Sequence, residues 1–180
     1  MNLRLSRLAV GLLLFMATGF AALAQDVKVD YDHSTNFQGY KTYAWGPGTP
    51  AKNPLNDQRI IDAVDGQLTS KGFQKVSLDQ NPDLVVVYHA KTSTQTQLNT
   101  TSFGGWGWGW GYGGGTTTTD VQQIPVGQLS VDIGDAKTKK LLWLGTAGGT
   151  IGDNPEKNTE RLNKAVAKMF KNFPPGINSK

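Results

Sequence analysis

Two segments near opposite ends of the chain each begin with an Asn-Pro pair and continue with apolar residues at helical spacing. Asn caps helices and Pro fits the first helical position, so Asn53-Pro54 and Asn154-Pro155 predict two helix starts. Each segment carries one apolar stripe, which has to be buried against another layer. The stripes are Ile60, Ile61, Val64 and Leu68, and Leu162, Val166, Met169, Phe170 and Phe173. Two helices of this kind require a sheet beneath them.

The segments predicted to form that sheet lie before the first helix and between the two helices. Residues 84–88 form a continuous apolar run, which predicts a central buried strand. Leu129, Val131 and Ile133 alternate with polar or small residues, and residues 141–145 return after a polar turn, which predicts a hairpin. Further strands are predicted at 27–31 and 41–45. The sequence therefore predicts an α+β fold: a largely antiparallel sheet of five to seven strands, with both amphipathic helices on one face.

The first 24 residues resemble a cleavable export signal. Arg4 and Arg7 precede an apolar stretch over residues 8–20, and Ala22-Leu23-Ala24 supplies the small residues of a cleavage site. We expect residues 1–24 to be removed and residues 25–180 to form one domain. Gln25 stands where a lipid-modified protein needs Cys, so the expected location is the periplasm or the exterior, without a lipid anchor.

Composition excludes several classes of protein. The chain has no Cys and two His, which excludes disulfides, thiolate metal sites and imidazole-rich metal sites. Its net charge is +4, with the Lys residues scattered, and this argues against nucleic acid as a partner. No phosphate-binding motif or nucleophile elbow is present. We therefore predict no cofactor.

Residues 104–115 form a glycine and tryptophan tract. If the tract is extended, Trp106, Trp108, Trp110 and Tyr112 all point to one side, along roughly 20 Å. Thr-rich flanks predict an arm in which two strands continue 84–89 and 121–133 outward, with a hairpin loop over 103–119 at its tip. Three interpretations remain open: a flexible loop folded over the sheet, a contact surface for a glycan or an envelope protein, and insertion at a membrane surface.

Candidate catalytic residues are few. Alternation places Asp30 and Asp32 on one strand face, a pair that could serve a hydrolase of an envelope polymer or hold a divalent cation. A solvated strand face followed by a turn is the preferred interpretation of the pair, and His89 is interpreted as a structural histidine. A small-ligand carrier would require a cavity between helices and sheet. The leading hypothesis is a non-catalytic binding or assembly module that uses the four aromatic residues of the tract.

A wider pattern resembles a known family, the bacterial domain of unknown function 4136. The resemblance covers residues 26–176 and implies an envelope protein, often lipid-anchored, with an α+β fold and no established activity or catalytic residues. Two positions depart from the pattern: Gln25 replaces the anchor Cys, and Leu144 stands where relatives often carry a basic residue. The residues that carry the resemblance are Asp30-Tyr31-Asp32, Phe37, Tyr40, Thr42-Tyr43-Ala44-Trp45, Pro82-Asp83-Leu84, Gly127, Leu129, Val131-Asp132-Ile133, Asp135, Leu142-Trp143, Gly145 and Phe173-Pro174-Pro175.

Overall fold

A computed structural model describes residues 26–103 and 116–176. The predicted leader and the aromatic residues Trp106, Trp108, Trp110 and Tyr112 lie outside the described residues. The helices are α1 (Pro54–Ser70) and α2 (Pro155–Met169), with short 3-10 turns at Phe37–Gly39 and Leu78–Gln80. The strands are β1 (Asp26–Tyr31), β2 (Thr42–Trp45), β3 (Gln74–Lys75), β4 (Leu84–Phe103), β5 (Thr116–Asp135) and β6 (Leu141–Thr150).

These strands form one six-stranded sheet in the order β1-β6-β5-β4-β2-β3. The pairs β1–β6, β6–β5 and β5–β4 are antiparallel, whereas β2 pairs in parallel with both β4 and β3. The sheet is therefore mixed: the strand number and the antiparallel long pairings are as expected, whereas the parallel pairings of β2 with β4 and β3 were not expected. Helix α1 lies between β2 and β4 in the sequence. It carries the chain back to the end of the sheet where β2 began, as a parallel neighbour of β2 requires.

Both helices begin where the Asn-Pro pairs predict. The side chain of Asn53 accepts a hydrogen bond from the backbone N–H of Leu55, and that of Asn154 accepts one from Lys157. Helix α1 ends before Gly72, whose φ of +86° suits the left-handed turn predicted there. Each cap satisfies a backbone donor that the first helical turn would otherwise leave without a partner.

The core lies between the sheet and the two helices. Val86, Ile133 and Trp143 are register partners across β4, β5 and β6, and each is at most 1% exposed. They form one cluster with the buried stripes of α1 and α2, which include Val64 and Val166. The predicted pairing of one helix face with one sheet face is thus confirmed for both helices.

Close approach between α2 and the sheet depends on Gly145. A Cβ added at Gly145 would collide with the Cγ and Sδ atoms of Met169 and with the ring of Trp143. The absence of a side chain on β6 therefore lets Met169 lie directly against the strand. This contact explains why glycine follows the buried Trp143 two residues later.

Candidate functional site

Strands β4 and β5 extend well beyond the rest of the sheet. Strand β6 ends at Thr150, opposite Val126, yet β4 and β5 remain paired for ten further residue pairs, from Thr94↔Pro125 to Phe103↔Thr116. We call residues 94–103 and 116–125 the ribbon; at about 3.4 Å per residue it projects roughly 34 Å. The predicted outward continuation of the two strands is confirmed; of the hairpin loop predicted over 103–119, residue 103 and residues 116–119 are strand, and the rest lies outside the described residues.

Pro125 marks the base of the ribbon. Its carbonyl accepts a hydrogen bond from Ile151 at 2.9 Å, so this residue faces the β6 side of β5. Proline has no N–H to donate on that side, and the ladder between β5 and β6 cannot continue past it. Proline at this position therefore separates the three-stranded part of the sheet from the two-stranded ribbon.

The ribbon is mostly polar in sequence, and its apolar residues are Leu98, Phe103, Val121, Ile124 and Pro125. Leu98 and Val121 face each other across the two strands and are 63% and 58% exposed. Both outer edges of the ribbon lack a neighbouring strand among the described residues, so backbone groups there are open to pairing. Residues 104–115, which contain the four predicted contact residues, connect Phe103 to Thr116 at the end of this ribbon.

In the candidate carboxylate pair, Asp30 accepts a hydrogen bond from the backbone N–H of the adjacent Tyr31 at 2.9 Å, whereas Asp32 has partners in other parts of the chain. Asp32 accepts hydrogen bonds from Lys140 Nζ, from the Ser34 hydroxyl and backbone N–H, and from the Thr35 hydroxyl. Lys140 first, and then Ser34 and Thr35, hold the pKa of Asp32 well below its ordinary value. A general acid needs a raised pKa, which is the opposite direction. Asp32 therefore ties β1 to the β5–β6 turn.

His89 also has a structural partner, as expected. Its Nδ1 lies 2.8 Å from the hydroxyl of Thr49, and the two residues form an isolated parallel bridge beside β4. In the described part of the chain no group of three or more His, Asp or Glu side chains is close enough to hold a metal ion.

Several residues of the family pattern serve as internal hydrogen-bond anchors. Asp83 accepts from the backbone N–H groups of Lys41 and Thr42 and from the Thr42 hydroxyl, all at 2.9 Å. The backbone N–H of Lys41 is the largest cause of the lowered pKa of Asp83. Asp135 accepts from the Tyr40 hydroxyl at 2.9 Å. These aspartates hold loop ends against strands.

Asp65 on α1 was missed by the sequence analysis. It accepts hydrogen bonds from the Tyr43 hydroxyl at 2.7 Å, from Trp45 Nε1 at 2.9 Å and from Lys75 Nζ at 2.8 Å. Burial, and then the bond to Asp65, raises the pKa of the Tyr43 hydroxyl. One sequence feature could have pointed to Asp65: it is an acidic residue directly after Val64, which belongs to the apolar stripe of α1.

A groove of about 390 Å³ opens between the first halves of the two helices and the sheet. Its floor follows from the register: Ala90, Leu129 and Ala147 are partners across β4, β5 and β6, and the next row is Thr92, Gly127 and Gly149. Apart from Leu129, these residues are smaller than those of the row Val86, Ile133 and Trp143. Their side chains fill less of the layer between the sheet and the helices, and space remains.

The walls of the groove combine apolar and cationic side chains. Ile60 and Leu162 contribute apolar surface from α1 and α2, whereas Arg59, Lys91 and Arg161 bring positive charge. No Asp or Glu is among the described residues that line it. The groove is the cavity that the small-ligand hypothesis required, with an excess of positive charge that the sequence did not reveal.

Comparison with known families places this chain. The family described as "Domain of unknown function (DUF4136)" matches residues 27–175. The chain belongs to this family. The predicted resemblance is confirmed, over nearly the range expected from the sequence. No curated protein matches the chain.

Solved structures share the DUF4136 fold. A DUF4136 family protein from Bacteroides thetaiotaomicron has 15% identity and a TM-score of 0.53, with 83% of this chain and 96% of that chain covered. A PDZ domain protein from Parabacteroides distasonis has 17% identity and a TM-score of 0.55, with 84% and 36% covered, so this chain spans about a third of that protein. A PelC variant from Paraburkholderia phytofirmans, which forms a dodecamer, has 13% identity and a TM-score of 0.50, with 81% and 94% covered. These identities establish the fold alone.

None of the helices in residues 26–103 and 116–176 is long and apolar enough to span a membrane.

Proposed function

We propose that this DUF4136 protein is an exported, non-catalytic binding or assembly module of a bacterial envelope, and that residues 104–115 are its contact surface. One observation carries the proposal: β4 and β5 continue for ten residue pairs beyond the last support from β6. A domain that needed only a loop between two strands could turn at the edge of its core. This chain instead extends the strands and places its Trp-rich segment after them.

The physical character of the ribbon supports this role. An isolated two-stranded ribbon is at best marginally stable in water, because neither face is covered. Leu98 and Val121 already lie exposed along it, and each aromatic ring of the tip can bury about 150–250 Å² in a contact. Contact with a partner would therefore stabilise the ribbon and hide apolar surface that is costly to leave in water.

The sequence supports the expected setting. Residues 1–24 have the form of an export leader, and Gln25 lacks the thiol that lipid attachment needs. The expected partners are an envelope protein or a glycan, whose flat faces suit aromatic stacking; a membrane surface is the remaining alternative. The dodecamer formed by the PelC variant is one form that assembly could take, with a second copy of this chain as the partner.

The test compares two triple variants of the mature protein. Trp106→Ala, Trp108→Ala and Trp110→Ala together remove three rings, whereas Phe at the same positions keeps flat aromatic faces as a matched control. We expect the Ala variant to lose binding to isolated peptidoglycan, lipopolysaccharide or detergent-solubilised envelope proteins, and the Phe variant to keep it. Thermal unfolding of both should match the parent, because both variants keep Trp143 and Trp45, the tryptophans that pack in or against the core of the described residues.

Three results would count against this function. Equal binding by the parent and the Ala variant would remove the aromatic tip from the contact. Binding to pure phospholipid vesicles alone would replace the partner with a membrane surface. Loss of folding in both variants would show that the rings belong to the core of the domain.

A small-ligand carrier is a second candidate function, and the groove favours it. The groove has the position that the hypothesis required, between helices and sheet, and its volume lies within the usual range of small-molecule sites, about 300–1,000 Å³. By contrast, the lowered pKa of Asp32 gives the hydrolase hypothesis no support.

A further inference from the structure

We propose that the groove binds an amphiphilic anion: a single acyl chain with a carboxylate or phosphate head group. This inference rests on the second candidate function, that of a small-ligand carrier, and is independent of the ribbon. The acyl chain would lie on the row Ala90, Leu129 and Ala147, and the head group would meet the cations at the rim.

The space suits one chain rather than a large ligand. A groove of about 390 Å³ corresponds to the liquid volume of about a dozen water molecules. Its floor consists of the narrow rows Ala90–Leu129–Ala147 and Thr92–Gly127–Gly149, with Ile60 and Leu162 on the helix side. Apolar surface on both the sheet side and the helix side, in a space of this volume, favours a single hydrocarbon chain.

The charges favour a negative head group. Arg59, Lys91 and Arg161 all line the groove, and no acidic side chain among the described lining residues offsets them. Positive charges around a low-dielectric concave surface raise the local concentration of anions. Arg59 donates from Nη1 to Asn56 Oδ1 at 2.8 Å, and a guanidinium carries further N–H donors suited to a carboxylate or phosphate.

Two acidic residues near the groove have hydrogen-bond partners of their own. Asp57, on the first turn of α1, accepts hydrogen bonds from the Tyr88 hydroxyl and from the backbone N–H of Ala51. Glu160 on α2 accepts from Lys164 Nζ at 2.6 Å. Asp57 is thus bonded to Tyr88 and to the backbone of Ala51, and Glu160 is bonded to Lys164. The positive charge that the head group would meet comes chiefly from Arg59 and Lys91, since Arg161 also donates from Nη1 to the carbonyl oxygen of Thr150 at 3.3 Å.

The test measures binding of four twelve-carbon probes to the mature protein by isothermal titration calorimetry, below their micelle concentrations. Dodecanoate and dodecyl phosphate carry the two candidate head groups, dodecanol is neutral, and dodecyltrimethylammonium is cationic. We expect one molecule of at least one anion to bind per chain, about tenfold or more tightly than dodecanol, in keeping with charge-assisted hydrogen bonds. The stronger of the two anions distinguishes a fatty acid from a phospholipid-derived ligand.

Variants locate the binding. Arg59→Gln should lower the affinity for the preferred anion about tenfold and leave the affinity for dodecanol unchanged. Lys171→Gln is the matched control, because it removes one positive charge from an exposed position that does not line the groove, and it should leave all four affinities unchanged. Equal weakening by both variants would overturn the proposal in favour of a general effect of net charge.

The remaining outcomes separate this inference from the carrier function. If dodecanol binds as tightly as the anions, the head-group assignment is wrong while the carrier function stands. If none of the four probes binds, both are wrong. If Arg59→Gln leaves the preferred anion unchanged, the site lies elsewhere on the molecule and the groove is not its location.

Discussion

Strands β4 and β5 form both the floor of the core and the projecting ribbon, so two halves of the same strand pair can be compared directly. In the core half, Val86 and Ile133 are partners and are fully buried; in the ribbon half, Leu98 and Val121 are partners and are mostly exposed. The backbone pairing is the same in both. What differs is whether a helix layer covers one face.

That difference has consequences for register and stability. A one-residue slip in the core half would turn Val86 and Ile133 away from the helices, so burial fixes the register there. In the ribbon Leu98 and Val121 are mostly exposed, so burial does not fix the register there, and hydrogen bonds along the ribbon exchange with water at little net gain. We therefore expect the core half to hold the fold and the ribbon half to be replaceable without unfolding the domain.

The largest effect is expected from Trp143→Ala. Trp143 is 1% exposed and contacts the rings of Phe170 and Phe173, so its removal leaves a large cavity. We expect a loss of about 3–5 kcal/mol in the free energy of unfolding, measured by urea denaturation. A loss below about 1 kcal/mol would mean that the helices do not depend on this side of the sheet.

A smaller effect is expected from Gly145→Ala. The added Cβ would meet Met169 and Trp143, so α2 has to move away from β6. We expect a loss of about 1–3 kcal/mol by the same measurement. Gly148→Ala on the same strand is the control, since an added Cβ there meets only a backbone oxygen at 4.0 Å. Equal losses of unfolding free energy in the two variants would indicate that the glycines of β6 are needed for a reason other than the contact with Met169 and Trp143.

Asp83→Asn tests, through the pH dependence of stability, how the start of β4 is held. The pKa of Asp83 is lowered in the folded protein, so its contribution to stability is full above the unfolded value, near 3.8, and is lost as pH falls through the folded value. We expect the variant to be less stable than the parent at pH 7, and the gap to narrow at pH 3. Urea denaturation at the two pH values measures this; a gap that widens at pH 3 would contradict the assignment.

The smallest effect is expected in the ribbon. Leu98→Ala with Val121→Ala removes an exposed pair, and we expect a change within about 0.5 kcal/mol in unfolding free energy. Hydrogen exchange should be faster at residues 94–103 than at residues 84–90 of the same strand. Equal protection of both halves would show that the purified protein already covers the ribbon, for example with a second copy of itself.

Part of the fold could be predicted because its causes are local. The Asn-Pro helix starts, the single apolar stripes and the alternation at Leu129, Val131 and Ile133 are properties of neighbouring residues. The Thr-rich flanks predicted the outward arm for the same reason. The parallel pairing of β2 with β4 was not predicted, because it depends on where α1 returns the chain in space.

The candidate sites show the same difference between features with local causes and features that depend on distant residues. Asp30 and Asp32 suggested chemistry because their spacing is visible in the sequence, yet the decisive contact of Asp32 is with Lys140, more than a hundred residues away. Asp65 was missed because Tyr43, Trp45 and Lys75 meet its carboxylate only in the folded chain.

The amino-acid sequence by itself determined the family, the two helices, most of the strands and the outward arm, since periodicity and capping act over a few residues. Only the tertiary structure decided the mixed sheet and the groove. Ala90, Ala147 and Gly149 are individually unremarkable small residues, and Arg59, Lys91 and Arg161 are scattered cations. Strand register and helix packing bring them together, and that joint placement creates both the empty volume and its positive charge.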